Sequence, residues 1–184
     1  EKQVLRSHVS SLNAFDFAVK IETHGVVGPH NRVTLSAEVT GTIRQTQTAF
    51  EAGSFFKAGD LLLEMDDRDY QTALDIAREQ HKLAKATLLL AESANNRMQQ
   101  LARQDGASTS EADATYASLV QAESQVEVTA SAIEKAERDL QKTKIYAPFD
   151  GRVVTKMVGV GQLVSPGTVL GEVFAVDYAE VRLP

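Results

Sequence analysis

From Asp69 to Gln104 the chain holds no Gly or Pro, and Tyr70, Leu74, Ala77, His81, Ala84, Leu88, Ala91, Asn95, Met98 and Ala102 step alternately by four and three. This heptad seam predicts a long helix with one face against a partner. A second stretch free of Gly and Pro, Ser110 to Lys144, repeats the rhythm over Ala112, Tyr116, Leu119, Glu123, Val126, Ala130, Ile133, Glu137 and Leu140. Between them lies Asp105-Gly106-Ala107-Ser108, a C-cap glycine followed by the start of Ser108-Thr109-Ser110-Glu111. The latter reads as a capping box, in which the Ser hydroxyl accepts the Glu111 backbone N–H. The two helices are therefore expected to fold back on each other with a tip near residues 105–108. At about 35 residues each and 1.5 Å per residue, the hairpin should reach roughly 50 Å. Its seam is rich in Ala and interrupted by His81, Asn95, Glu123 and Glu137, which predicts close but only moderately stable contact.

The flanks follow a different pattern. Residues 53–65 match residues 161–173 at an offset of 108: Gly53 with Gly161, Gly59 with Gly167, Leu62 with Leu170 and Glu64 with Glu172. Upstream, Val39-Thr-Gly41-Thr-Ile43 matches Phe149-Asp-Gly151-Arg-Val153 with a two-residue change in spacing. The six glycines Gly41, Gly53, Gly59, Gly151, Gly161 and Gly167 suit turns, and the short apolar runs between them read as strands. One β unit is thus written twice and split by the helical hairpin, and neither copy buries its apolar face alone. Outside the repeat, Phe15, Phe17, Val19 and Ile21 alternate with Asp16, Ala18, Lys20 and Glu22 as in a half-buried strand. Val173, Phe174, Val176, Val181 and Leu183 predict a last strand near the end. These outer strands lack partners, so the chain is expected to be part of a larger protein whose next domain begins around residue 176. No broad apolar stripe is expected beyond those used by the seam and the sandwich.

Composition narrows the function. The 184 residues carry 19 basic and 25 acidic side chains, a formal charge of −6, with no Lys/Arg block, which argues against nucleic acid as a partner. Cysteine is absent, which removes disulfides, thiolate metal sites and thiol nucleophiles. His8, His24, His30 and His81 are dispersed, and Met65, Met98 and Met157 stand far apart, so neither a zinc site nor a soft-metal cluster is expected. No nucleophile elbow, Walker motif or dinucleotide fingerprint occurs. The expectation is a non-enzyme with no cofactor.

The split repeat with its inserted hairpin, together with Val33-Thr-Leu-Ser-Ala-Glu-Val-Thr-Gly41, Gly53-Ser-Phe-Phe-Lys-Ala-Gly59-Asp-Leu-Leu and Tyr146-Ala-Pro-Phe-Asp-Gly151, resembles the periplasmic adaptor (membrane fusion) proteins of tripartite efflux pumps. The resemblance covers roughly residues 20–184. It implies an α+β fold: a split lipoyl-like β-sandwich with a long antiparallel helical hairpin, plus partial strands of an adjoining β-barrel domain. The implied division is 1–28, incoming strands of the β-barrel or membrane-proximal domain; 29–68, first lipoyl half; 69–144, hairpin; 145–175, second lipoyl half; 176–184, start of the β-barrel domain. In that family the tip carries an Arg, a Leu four residues later and a Ser seven beyond, which engage an outer-membrane channel; Arg97, Leu101 and Ser108 stand at those spacings. The family's acidic residue five after the serine is Asp113, whereas the Ala usual two further on is Thr115. The implied role is to link an inner-membrane pump, RND-type ahead of an ATP-driven ABC transporter, to an outer-membrane channel. The implied setting is a ring of adaptors in the periplasm, associated with the inner membrane, and the implied cargo is drugs or other organic compounds.

Two other readings use the same residues. A lipoyl or biotinyl carrier would hold its modified Lys at the hairpin tip joining the two halves, but Glu64-Met65-Asp66-Asp67-Arg68-Asp69 offers none. A purely structural coiled-coil spacer needs only the seam. For Arg97 and Leu101 the plain alternative is two unremarked helix-surface side chains four apart, and Ser108 is already explained as an N-cap.

Overall fold

The computed structural model describes residues 3–4, 6–11, 16, 18–104 and 108–183. In chain order its elements are β1 (Val26–Pro29), β2 (Arg32–Ser36), β3 (Gly41–Thr46), a 3-10 turn (Thr48–Phe50), β4 (Phe55–Phe56), β5 (Leu61–Met65), α1 (Arg68–Ala102) and α2 (Thr109–Gln141). After the hairpin come β6 (Lys144–Tyr146), β7 (Gly151–Lys156), β8 (Leu163–Val164), β9 (Val169–Ala175) and β10 (Ala179–Arg182).

The sequence repeat becomes a pair of interleaved sheets, of strand order β2-β9-β7-β4 and β6-β5-β3-β8. Each order is the other with the halves exchanged, so β9 answers β5, β7 answers β3 and β8 answers β4. Every sheet takes its two inner strands from one half and its two outer strands from the other. The turns repeat atom for atom. Gly53 donates its N–H to Val153 O at 2.9 Å while Gly161 donates to Ile43 O at 2.8 Å, and Gly59 donates to Ala147 O at 2.8 Å while Gly167 donates to Ala37 O at 2.9 Å. These four glycines sit at φ between 85° and 88°, a region that L side chains rarely adopt. Gly41 and Gly151 differ from expectation: they are the first residues of β3 and β7, not turn residues. Gly151 is needed for closeness instead, since a Cβ there would lie 2.4 Å from Phe174 O and 2.7 Å from Phe56 Cζ.

The core lies between the sheets and is built from Ile43, Phe50, Leu62, Leu63, Met65, Val153, Leu170 and Val173, all buried. Strict alternation would put Leu62 and Leu63 on opposite faces, but register shifts against β3 and β6 turn both inward. In the second half, Leu170 and Gly171 are likewise buried together in β9, which carries register shifts against β2 and β7.

Two expectations at the ends fail. Val19 and Ile21 are 72% and 81% exposed in a stretch without strand pairing, and Phe15 and Phe17 lie outside the described residues. Alternation makes a strand only where an edge accepts its backbone hydrogen bonds. The strand expected near the end is two strands: β9 closes at Ala175, and β10 pairs antiparallel with β1 in a separate two-stranded ribbon.

The helical seam holds in α1 as far as Met98, where Leu74, Ala77, Ala84 and Asn95 are buried and Tyr70, His81, Leu88, Ala91 and Met98 half-buried, whereas Ala102 is exposed. In α2 it is shifted by one residue at alternate steps. Ala122 and Thr129 are buried, whereas Tyr116 and Glu123 are exposed, so the seam runs through Thr115, Leu119, Ala122, Val126, Thr129 and Ile133. Small side chains let the helix axes approach, and Thr129 is tolerated because its hydroxyl donates to Gln125 O and Val126 O, each at 2.9 Å. Across the seam His81 Nδ1 lies 3.0 Å from Thr129 Oγ1, a hydrogen bond that ties the two helices. So thin a seam buries little apolar area per residue. An isolated peptide spanning 68–145 should therefore melt broadly when followed by circular dichroism; a transition as steep as that of the whole chain would show that the hairpin needs no clamp.

Candidate functional site: the hairpin, its root and its tip

At the root, the sandwich grips both helices. Met65 N–H donates to Thr143 O and Asp66 N–H to Thr42 O, each at 2.8 Å, so the strand leading into α1 is tied to the exit of α2 and to β3. The Tyr70 hydroxyl donates to Thr40 O at 2.7 Å, and Lys142 at the end of α2 pairs with Glu38 at 3.2 Å. Thr143 is fully buried, its hydroxyl donating to Leu140 O. Lysines near this junction are engaged: Lys142 as above, and Lys144 with Glu64 at 3.5 Å.

Ahead of α1, Asp66 accepts from the Arg68 guanidinium at 2.6 Å and from the Arg68 backbone N–H at 3.3 Å. These hydrogen bonds hold its carboxyl at about 2, below the ordinary 3.8. Because the folded value is depressed, the contact's contribution is fully present above the unfolded value and is lost as pH falls through about 2. Asp66→Asn should therefore lower the urea midpoint slightly at pH 6, and the difference from wild type should shrink through the range between pH 4 and pH 2. A difference unchanged at pH 2 would contradict the assignment.

At the far end, α1 closes at Ala102, with Arg103 N–H on Gln99 O and Gln104 N–H on Leu101 O. Arg97 and Leu101 are one turn apart and exposed, Leu101 at 47%. Ser108 opens α2 in a complete capping box: its Oγ accepts Glu111 N–H at 3.3 Å and Glu111 Oε2 accepts Ser108 N–H at 3.1 Å. Asp113 is exposed, and Thr115, where the family usually has Ala, bonds its hydroxyl to Ala112 O at 2.9 Å. Since the helices pack antiparallel, Arg97, Leu101 and Ser108 stand at the same end of the hairpin. The residues that join them, Asp105-Gly106-Ala107, lie outside the described residues, and with them the expected C-cap glycine.

One feature of the hairpin departs from expectation. Ile76, Leu83 and Leu90, seven apart, are 54%, 69% and 70% exposed and form an apolar row down α1 beside the seam. A shallow groove follows on the same helix, where Thr72, Asp75, Glu79 and Gln80 flank Ile76 and Leu83. The second heptad row was present in the sequence, one residue before each of Ala77, Ala84 and Ala91.

This architecture defines a class, and comparison with known proteins agrees. Residues 31–175 match the family model described as the RND MFP barrel-sandwich hybrid domain. The chain belongs to the RND membrane fusion protein family. Among curated relatives, the multidrug resistance protein MdtA of Escherichia coli O45:K1 (strain S88 / ExPEC) is 36% identical over 147 residues, 80% of this chain and 35% of that protein. The chain thus spans about a third of the length of the relatives it matches. Two solved structures share the fold: the membrane fusion protein Spr0693 of Streptococcus pneumoniae R6, with a TM-score of 0.64 at 19% identity over 85% of this chain and 64% of that one, and ZneB of Cupriavidus metallidurans, with 0.60 at 18% over 88% and 67%.

Proposed function

We propose that this chain is the sandwich and hairpin portion of a periplasmic adaptor that links an inner-membrane pump to an outer-membrane channel in the efflux of drugs or other organic compounds. The carrying observation is the hairpin itself: a 35-residue helix and its 33-residue return, clamped at the root by the sandwich and carrying an exposed Arg97, Leu101 and Ser108 at its far end. Such a rod acts as a spacer with a contact surface at its tip. The pump is of the RND type, as the family's name supports, and the adaptor itself is non-catalytic. The row Ile76, Leu83 and Leu90 supports side-by-side packing of hairpins in a ring, because an aqueous rod gains nothing from a heptad-spaced apolar row that stays wet. Met65 in the core, Met98 in the seam and Met157 on the surface are dispersed, which favours organic cargo over a soft metal.

These 184 residues hold no cysteine, so a cysteine introduced here is the one thiol of this portion. In cells carrying the complete adaptor, Gln100→Cys, exposed beside Leu101, is expected to crosslink to an outer-membrane channel and Leu83→Cys to a second copy of the adaptor, with neither yielding the other's product. Absence of any channel adduct at Gln100→Cys, with the adaptor folded and abundant, would return the hairpin to a plain spacer.

A further inference from the structure

Within one hairpin the heights of α1 and α2 are tied together. His81 of α1 meets Thr129 of α2 at 3.0 Å, and Leu90 and Ala91 share a groove with Gln121 and Ala122. On that scale Leu90 is level with Val120 and Gln121, Leu83 with Glu127 and Val128, and Asp75 and Ile76 with Glu134 and Lys135. The α2 members of this set leave the seam and face outward: Val120 and Val128 are 42% and 62% exposed, and Glu127 and Lys135 are exposed as well. So α2 carries its own outward apolar positions at the heights of Leu90 and Leu83. The charges beside the two rows alternate in opposite senses. Towards the root, α1 has Asp75 and Glu79 around Ile76, where α2 has Lys135; one heptad nearer the tip, α1 has Lys82, where α2 has Glu127. Their present partners are slight. Asp75 accepts from Gln71 Nε2 at 3.2 Å, and Glu79 pairs at 3.5 Å with Lys82, both largely exposed. Among the described residues the ion pairs of α2 join Glu137 to Arg78 and Glu134 to Arg138, and neither takes Lys135.

We infer that these charges are a register lock between neighbouring copies of the chain: Asp75 and Glu79 of one hairpin take Lys135 of the next, Lys82 takes its Glu127, and Ile76, Leu83 and Leu90 lie along the outward side of its α2. The inference rests on the side-by-side reading of the apolar row, and adds the surface that receives the row and the height at which it is received. Copies gathered round one axis stand with their tips level, so residues at equal height within a hairpin are at equal height between hairpins. An α1 on one side and an α2 on the other make the contact heterologous, and it propagates from copy to copy. The apolar row of α1 repeats every seven residues and looks much the same after a slip of one heptad, about 10 Å along the helix. The charges do not repeat. A slip one way sets Lys82 on Lys135, and a slip the other way sets Asp75 beside Glu127, so like charges meet in both directions. Burying the row supplies adhesion, and the flanking charges choose the register and the partner, as they do beside a coiled-coil seam.

Disulfide formation between two differently tagged copies of the complete adaptor tests this in cells, with copies lacking the introduced cysteines as background. One copy carrying Leu83→Cys and the other Val128→Cys should form a mixed dimer, whereas Leu83→Cys with Gln121→Cys, one heptad nearer the tip, should stay near background. Lys135→Glu in both copies should cut the Leu83–Val128 adduct about tenfold, since exposed attractions become repulsions. Adding Asp75→Lys and Glu79→Lys, which exchanges the signs, should restore it. All these side chains are exposed, and adaptor abundance measured in parallel shows that each variant folds. An adduct undiminished by Lys135→Glu, one not restored by the exchange, or one as strong at Gln121 as at Val128 overturns the lock and leaves side-by-side packing standing. No adduct at either pair removes the packing and the lock together.

Discussion

Gly151→Ala is expected to destabilise the chain by about 3 kcal/mol, shifting Tm down by roughly 10 °C. The added methyl would meet the Phe174 carbonyl at 2.4 Å and the Phe56 ring at 2.7 Å. Neither can retreat: Phe174 is in β9, paired on both sides by β2 and β7, and Phe56 is buried in β4. Gly171→Ala should do the same, since its Cβ would lie 2.6 Å from Thr155 O and 2.8 Å from Phe50 Cζ. The internal repeat supplies the control. Gly41 is the counterpart of Gly151, but a Cβ there would find Met65 Cβ at an ordinary 3.4 Å, so Gly41→Ala should cost under about 1 kcal/mol. Urea unfolding followed by far-UV circular dichroism measures all three; similar losses at Gly41 and Gly151 would show that the repeat, and not the close approach, sets the requirement for glycine.

That contrast also shows where sequence reading stops. Matching glycines 108 apart announced the repeat because four of them serve a backbone need, positive φ, that few other residues meet. Gly151 looked like one of the same set, yet its reason is a neighbour from the far half of the chain, and no local pattern carries that. The helices were legible as lengths, because over thirty residues without Gly or Pro leave few alternatives, but α2's register was not. A hydropathy reading sends Thr115 and Thr129 to solvent, whereas helix backbone carbonyls satisfy their hydroxyls and leave two small groups that fit a tight seam. Ile76, Leu83 and Leu90 stand seven apart in the sequence, yet the expectation of no apolar stripe beyond the seam and the sandwich passes over them. Of the candidate tip residues, the spacing was readable and so was the capping box at Ser108.

The other large effect is functional. Arg97→Asp and Leu101→Ser should each abolish efflux-dependent resistance in cells while leaving the fold and the association with the inner-membrane pump intact. Both side chains point to solvent at the end of α1, so each substitution should alter stability by only about 0.5 kcal/mol. In a tip-to-tip contact Arg97 would donate charge-assisted hydrogen bonds to carbonyls or a carboxylate of the channel, and reversing its charge turns that attraction into repulsion. Leu101 would fill an apolar notch, where a buried anchor at the centre of a small interface commonly carries 2 kcal/mol or more, about thirtyfold in affinity. Ser108→Ala is the less informative variant, because losing the cap alone costs roughly 1 kcal/mol and mixes folding with docking. Resistance measured at native expression, with the adaptor's level and melting temperature checked in parallel, separates the two. Full resistance with Arg97→Asp would leave Arg97 and Leu101 as ordinary helix-surface residues and move the search for the docking surface to the apolar row on α1.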